Sequence, residues 1–298
     1  MSSNKKQASK NNLYIAGVFG YPVKHSLSPA MQNAAFRNAG LTVSYLPFEV
    51  KPEEAAFLIK KLAVLGVTGI NLTVPHKEVA YKNVDFLSKE AKIFQAVNTI
   101  TVKKGKLYGA STDGEGLRLG LKNEVGMEIK NKSIIILGAG GAGRSAAIYL
   151  AVKGAKRIII SNRTRNKALT AVKLIRKFAP RTAVICGPLT EDFVKKYAAG
   201  SDLIINATSL GLKPKDKPAV GSKAFRKGIV FYDMIYSPAL TSTMKAAKRA
   251  GARVYNGLSM LLYQGAISWE LWTGKKAPVK IMQKALLKEL KNRTNKVC

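Results

Sequence analysis

The segment Ile134-Ile135-Ile136-Leu137-Gly138-Ala139-Gly140-Gly141-Ala142-Gly143-Arg144 passes from an apolar strand pattern, through three glycines at G-x-G-x-x-G spacing, into a helical pattern. The glycines serve three physical needs, which are a tight turn, close approach of backbone to a pyrophosphate, and packing of helix on strand. The helix that opens there offers unpaired N–H groups and a partial positive charge to phosphates. By itself the spacing is a weak signal. Here a helical stretch, Ala142 to Lys153, is followed by a second strand pattern, Arg157 to Ser161, so the strand–turn–helix–strand unit is complete. The reading is a dinucleotide site at Gly138, Ala139, Gly140, Gly141, Ala142 and Gly143, on a Rossmann-type doubly wound sheet.

The end of the second strand selects the dinucleotide. An NAD site places Asp or Glu there to accept from the ribose 2′-hydroxyl. The chain instead reads Asn162-Arg163-Thr164-Arg165-Asn166-Lys167, and no acidic residue occurs from Ile129 through Thr190. A carboxylate would repel a 2′-phosphate, whereas Arg163 can grip it with a planar fork and stack on adenine. NADP(H) is therefore the expected cofactor.

Outward from this unit, Ala183 to Cys186, Asp202 to Asn206, Ile229 to Asp233 and Arg253 to Tyr255 read as further strands, and Leu258 to Trp272 and Val279 to Asn292 as helices. Upstream, Leu13 to Phe19, Ser44 to Val50, Gly69 to Val74, Val97 to Val102 and Leu107 to Ala110 read as strands. Pro29 to Ala39, Glu53 to Leu65 and His76 to Leu87 carry helical spacing, and Gly116 to Val125 looks helical. Ser28 is placed to cap the helix that opens at Pro29. The alternation predicts parallel strands with helical crossovers. The expected architecture is a two-domain α/β chain. An α/β substrate domain comprises 12–113 plus 258–298, its C-terminal helices packing back on it, and a Rossmann-type domain comprises 114–257.

Composition narrows the class. The chain has 298 residues, 47% of them hydrophobic, too apolar for a disordered polyelectrolyte. No apolar run reaches the length of a membrane span, and the first dozen residues lack the apolar segment of a signal peptide, so a cytoplasmic protein is expected. Two cysteines and two histidines argue against a disulfide framework or a metal site. Fifty Lys and Arg against seventeen Asp and Glu give a net charge of +33. That charge favours encounter with anions, but it is spread over the chain rather than gathered into a basic arm, so nucleic acid is not the expected specific partner.

Three features upstream exceed what folding needs. His25-Ser26-Leu27-Ser28-Pro29 sets two hydroxyls at a helix start, suited to a small carboxylate. Thr73-Val74-Pro75-His76-Lys77 ends a strand and opens a helix, with Pro75 suited to the first turn and Lys77 within it. There the helix field and partial burial would lower the lysine pKa toward acid–base work, against the plainer reading of a solvated lysine. Asn98 and Asp113 stand at opposite ends of an expected hairpin. Asp113 either caps the next helix or partners Lys77.

The motifs SLSP, NLTVPHK, AVNT, STDG, GAGGAGR, NRT, NATSLG, DMIYSP and G-x-S-M-L-x-x-Q follow in this order from Gly17 to Gln264. Together they resemble the shikimate dehydrogenases, NADP-linked enzymes of chorismate and aromatic amino-acid biosynthesis. The resemblance implies reversible reduction of 3-dehydroshikimate to shikimate, with Lys77 and Asp113 as the acid–base pair. It gives Ser26 and Ser28 the substrate carboxylate, Thr73, Asn98 and Gln264 the ring hydroxyls, and Tyr236 a place beside the substrate. It assigns Gly138 to Arg144 to the pyrophosphate, Asn162, Arg163, Thr164 and Lys167 to the adenosine 2′-phosphate end, and Thr208, Met234 and Gly257 to the nicotinamide. No metal is implied, and the family includes monomers and homodimers. The rival readings are a broader quinate/shikimate dehydrogenase using NAD(P), and a non-catalytic NADP-binding or nucleic-acid-binding protein.

Overall fold

The structure is a computed structural model and describes residues 14–213 and 215–295. The segment Met1 to Asn12, the strand start expected at Leu13, the outer domain limits 12 and 298, and Cys298 lie outside the described residues. The first layer contains β1 (Tyr14–Gly20), α1 (Ser28–Asn38), β2 (Val43–Glu49), α2 (Pro52–Lys61), β3 (Val67–Leu72), α3 (Lys77–Lys82), β4 (Phe86–Leu87), α4 (Lys89–Phe94), β5 (Thr99–Lys103) and β6 (Lys106–Ala110). Its six strands run in the order β2-β1-β3-β5-β6-β4.

The parallel expectation holds for β1, β2 and β3, and the hairpin expected between Asn98 and Asp113 is present as β5 and β6. β1 lies parallel to β2 and β3, but β5 is antiparallel to both β3 and β6. The reason is the connection between β5 and β6. Only Lys104 and Gly105 separate those strands, both at positive φ, and two residues can close a hairpin but not a crossover. The helix expected over His76 to Leu87 is also shorter than its pattern: it stops at Lys82, and Phe86–Leu87 pairs with β6 instead. α4 was not apparent from periodicity.

α5 (Asp113–Gly120) crosses to the second layer and continues as a π-helical turn, Leu121–Val125. Then come β7 (Ser133–Leu137), α6 (Gly141–Val152), β8 (Arg157–Ser161), α7 (Arg165–Phe178), β9 (Ala183–Gly187), α8 (Glu191–Ala198), β10 (Leu203–Asn206), β11 (Val230–Asp233), α9 (Ser242–Arg249) and β12 (Arg253–Tyr255). The sheet order is β12-β11-β10-β7-β8-β9, parallel throughout. This is the doubly wound order, and its switch point lies between β7 and β10, where ligands sit beyond the carboxyl ends of the strands. Helices cover both faces, so Ile134 to Leu137 and Ile158 to Ile160 are buried as continuous apolar runs.

The last two helices, α10 (Leu258–Thr273) and α11 (Val279–Asn295), return to the first layer, α11 against α1 and α10 against both α1 and α5. Trp269, Trp272, Met282 and Leu286 share a core with Ala16, Met31, Phe36 and Tyr45. The Trp272 indole N–H donates to the Ile100 carbonyl at 3.0 Å, satisfying its polar atom inside that core.

Candidate active site

A cavity of about 260 Å³ lies where residues after β3 and at the start of α5 meet residues after β11 and β12. Ser26, Ser28, Thr73, Lys77, Asn98, Asp113, Met234, Tyr236, Gly257 and Gln264 all line it. Ten positions spread over the sequence thus converge on one space.

The Lys77 ammonium lies 2.6 Å from Asp113 Oδ2, and the two side chains are only 24% and 16% exposed. The other carboxylate oxygen of Asp113 accepts from Asn98 Nδ2 at 2.8 Å. Asn98 is itself fixed, since its Oδ1 accepts from the Thr112 backbone at 2.8 Å and its Nδ2 donates to Thr112 Oγ1 at 2.9 Å. Of the two roles weighed for Asp113, capping is not the one adopted. Thr112 occupies the N-cap position and no side chain caps α5, which leaves the carboxylate for Lys77 and Asn98. Asn98 and Asp113 meet because β5 and β6 pair as Thr99 with Ala110, bringing both flanks to the open end of the hairpin. Pro75 lies in a turn before α3 rather than in its first helical turn, while Lys77 is the first helical residue.

The capping role expected of Ser28 is not adopted. Leu27 is the N-cap of α1 and Ser28 already belongs to the helix, without a side-chain cap. The Ser26 hydroxyl accepts from the Ser28 N–H at 3.2 Å. Ser28 is 6% exposed and bonded to Tyr45, whose hydroxyl burial pushes up, with the Ser28 bond opposing that shift. Tyr45 donates to Asn71 Oδ1 at 2.8 Å, and Asn71 Nδ2 donates to Ser268 Oγ at 2.9 Å and to the Asn98 carbonyl at 3.1 Å. Asn71 therefore ties β2, β3, β5 and α10 together beneath the cavity. Sequence reading passed over it, although an amide inside the apolar run Gly-Ile-Asn-Leu was a signal that its cost is offset by hydrogen bonds.

Across the cavity, a Cβ at Gly257 would stand 2.1 Å from the Met234 carbonyl oxygen, so only glycine allows that approach. Asn206 Nδ2 donates to Asp233 Oδ1 at 3.0 Å, and Thr241 Oγ1 donates to Asp233 Oδ2 at 2.7 Å. Burial pushes the Asp233 carboxyl up, against the hydrogen bonds of Thr241, Ile235 and Asn206. Thr208 donates to Asn206 Oδ1 at 2.7 Å; it flanks the glycine turn rather than the cavity.

The glycine turn fits a dinucleotide phosphate. Gly138 has φ +97°, a left-handed conformation suited to glycine. A Cβ at Gly143 would meet the Gly138 carbonyl oxygen at 2.1 Å, whereas Gly140 and Gly141 are exposed with no heavy atom within 4 Å of their missing Cβ. Open space thus stands before the first turn of α6. Asn162 Oδ1 accepts from the Ala139 N–H at 2.9 Å, joining the turn to the end of β8. Arg163, Thr164 and Lys167 are exposed there, at the start of α7.

One contact spans the two layers beside this turn and was not foreseen. Arg144 in the first turn of α6 lies 2.6 Å from the Glu78 carboxylate on α3, next to Lys77. Among the described residues, no group of three or more His, Cys, Asp or Glu is placed to hold a metal, and no helix is long and apolar enough to cross a membrane.

A two-domain α/β fold with a glycine turn on a doubly wound sheet is that of a dinucleotide-dependent oxidoreductase, and the chain's relatives are NADP-dependent enzymes acting on a CH–OH group. Family models place it further: residues 18–100 match the shikimate dehydrogenase substrate binding domain, 121–223 shikimate / quinate 5-dehydrogenase, and 257–287 the shikimate 5′-dehydrogenase C-terminal domain. Shikimate dehydrogenase (NADP(+)) of Methanopyrus kandleri is 38% identical over 279 residues, 93% of this chain and 96% of that one. A crystal structure of a shikimate dehydrogenase in complex with NADP+ superposes with a TM-score of 0.85 at 38% identity, covering 93% of this chain and 96% of the other. The Thermus thermophilus enzyme in complex with NADP(H) and shikimate gives 0.82 at 34% identity, covering 92% and 99%. The chain belongs to the shikimate dehydrogenase family.

Proposed function

We infer that this chain interconverts 3-dehydroshikimate and shikimate with NADP(H), in the biosynthesis of chorismate and the aromatic amino acids. The observation that carries this reading is the Lys77–Asp113 pair, largely buried in a cavity that the nucleotide layer completes with Met234, Tyr236 and Gly257. When bound, NADPH supplies a hydride to the ring carbonyl carbon.

The chain's own residues supply position and a proton. Ser26 and Ser28 take the substrate carboxylate, Thr73, Asn98 and Gln264 the ring hydroxyls, and Tyr236 closes the opposite side. Lys77 gives its proton to the carbonyl oxygen as that oxygen becomes a hydroxyl, and recovers one in the reverse direction. Asp113 fixes the ammonium, and Asn98 fixes Asp113 in turn. Gly138 through Gly143 hold the pyrophosphate; Asn162, Arg163, Thr164 and Lys167 hold the adenosine 2′-phosphate end; Thr208, Met234 and Gly257 flank the nicotinamide. Residues 12–113 with 258–298 serve the substrate and 114–257 the cofactor. The protein works in the cytoplasm as a monomer or homodimer.

The test is NADPH consumption with 3-dehydroshikimate, beside shikimate and quinate oxidation with NADP and NAD. Turnover of the shikimate pair is expected, with Lys77→Ala slower by about 10²–10⁴-fold and NADPH affinity little changed. Absence of turnover in the wild type overturns the reading. Quinate oxidation with NAD moves it to the broader dehydrogenase.

A further inference from the structure

Arg293, on the last helix, makes an unusual set of contacts. Its Nε donates to Glu289 Oε1 at 2.7 Å, one helical turn back, which fixes the plane of the guanidinium. The outer nitrogens then reach the loop between β1 and α1, where Nη1 donates to the His25 carbonyl at 2.8 Å and Nη2 to the Ser26 carbonyl at 3.1 Å. A planar fork on two successive carbonyls defines the orientation of both peptide groups, which a single point donor cannot do.

Those peptide groups belong to the hydroxyl loop of the cavity. The N–H of the first, on Ser26, donates back to the Val23 carbonyl at 2.9 Å and closes the turn. The second joins Ser26 to Leu27, and the Leu27 backbone bonds the Tyr236 hydroxyl. One peptide unit thus receives Arg293 on its oxygen and faces Tyr236 with its N–H. The loop carries Ser26 and Ser28, and both hydroxyls, with Tyr236, line the cavity.

We propose that Arg293 is a positioning residue for the substrate carboxylate: through the His25 and Ser26 carbonyls it holds Ser26, Ser28 and Tyr236 in register. The proposal rests on the reading of the cavity as the shikimate site. Arg293 does not line that cavity; it acts through the loop. Its consequence is specific. Loosening the loop weakens recognition of the carboxylate while leaving the Lys77–Asp113 pair and the glycine turn intact.

The experiment uses the full chain, with Arg293→Met, Arg293→Lys and Glu289→Gln, and measures shikimate oxidation with NADP and the thermal midpoint. For Arg293→Met the KM for shikimate is expected to rise on the order of tenfold or more, with kcat and the KM for NADP within about twofold. Arg293→Lys keeps the charge but not the fork and is expected to recover only part of the loss. Glu289→Gln leaves the guanidinium in place but less firmly held; it is expected to raise the KM in the same direction by a smaller factor, and it serves as the readout if Arg293→Met does not fold. Shikimate methyl ester, which lacks the carboxylate charge, separates position from stability. The preference for acid over ester in kcat/KM should shrink in Arg293→Met. A lowered thermal midpoint with unchanged KM and unchanged acid-over-ester preference overturns the proposal and leaves Arg293 a staple of α11. If the wild type fails to turn over shikimate, the functional reading itself falls, a result distinct from either.

Discussion

The role proposed for Arg163 rests on a single residue and its neighbours in the chain. Arg163 stands exposed after β8, in a stretch without a carboxylate from Ile129 through Thr190, so its reading needed only local sequence and the charge of a 2′-phosphate. Arg163→Ala is expected to weaken NADPH by on the order of tenfold or more while leaving NADH nearly unchanged, because only the first carries that phosphate. Fluorescence titration of both nucleotides checks it, and equal losses would remove Arg163 as the selector. The contact of Lys77 with Asp113 was legible only as one of two readings, since a solvated lysine and a helix cap were the plainer uses of those residues. Ser26 and Ser28 were legible as a pair but not in their separate roles, since which hydroxyl meets the helix N–H depends on where α1 begins. Asn71 was legible only as an amide within an apolar run and Arg293 not at all, because their meaning lies in partners as distant as 268 positions along the chain.

At the scale of elements, most strands lie within two residues of their expected limits and β8 and β12 match them, but β4 falls inside the helix expected over His76 to Leu87. The longer apolar runs between turns left no competing pattern. Helix ends were less legible where a side chain redirects the backbone. Asn83 Nδ2 donates to the Val79 carbonyl at 2.8 Å, and Asp85 Oδ2 accepts from the Leu107 N–H at 2.8 Å, so the chain leaves α3 for the sheet edge although its helical pattern continues. The contact of α5 with α6 shows how elements fix one another. Glu115 on α5 accepts from Arg118 and from the Tyr149 hydroxyl of α6, and Lys153 lies 5.2 Å over the Tyr149 ring. Burial pushes the Glu115 carboxyl up, but the bonds from Arg118 and Tyr149, with the charges of Arg118 and Lys153, hold it below its ordinary range. A carboxylate depressed on folding adds stability above its unfolded value, and that stability is lost as pH falls through the folded value. Tyr149→Phe is expected to cost about 1–3 kcal/mol at neutral pH and to move the onset of acid unfolding upward. Glu115→Gln is expected to flatten the acid limb. Thermal melts between pH 7 and 3 decide both.

At the scale of the molecule, the two layers meet across the cleft through α5, α10 and the pair of Arg144 with Glu78. That pair joins the glycine turn to the helix that carries Lys77. If it communicates occupancy, NADP should tighten shikimate binding, and shikimate should tighten NADP binding by the same factor. Glu78→Gln and Arg144→Gln are each expected to bring that factor toward one, and the double variant to add little more. Calorimetric titration of shikimate with and without NADP measures it; an unchanged factor would limit the pair to surface electrostatics. The net charge of +33 remains legible only as a count, since charge spread over a surface favours encounter with anions and selects no fold.

The return of α10 and α11 to the first layer has a consequence for synthesis. A ribosome releases the segment from α5 to β12 as one uninterrupted piece, able to close its own sheet while the remainder is still being made. The opening residues must wait. Until α10 and α11 emerge, seconds later at ordinary elongation rates, Ala16, Met31 and Phe36 lack the tryptophans and Met282 that cover them. The half of the molecule made first is therefore the half finished last, and during that interval its apolar face is open to chaperones, or to another nascent chain at the same stage.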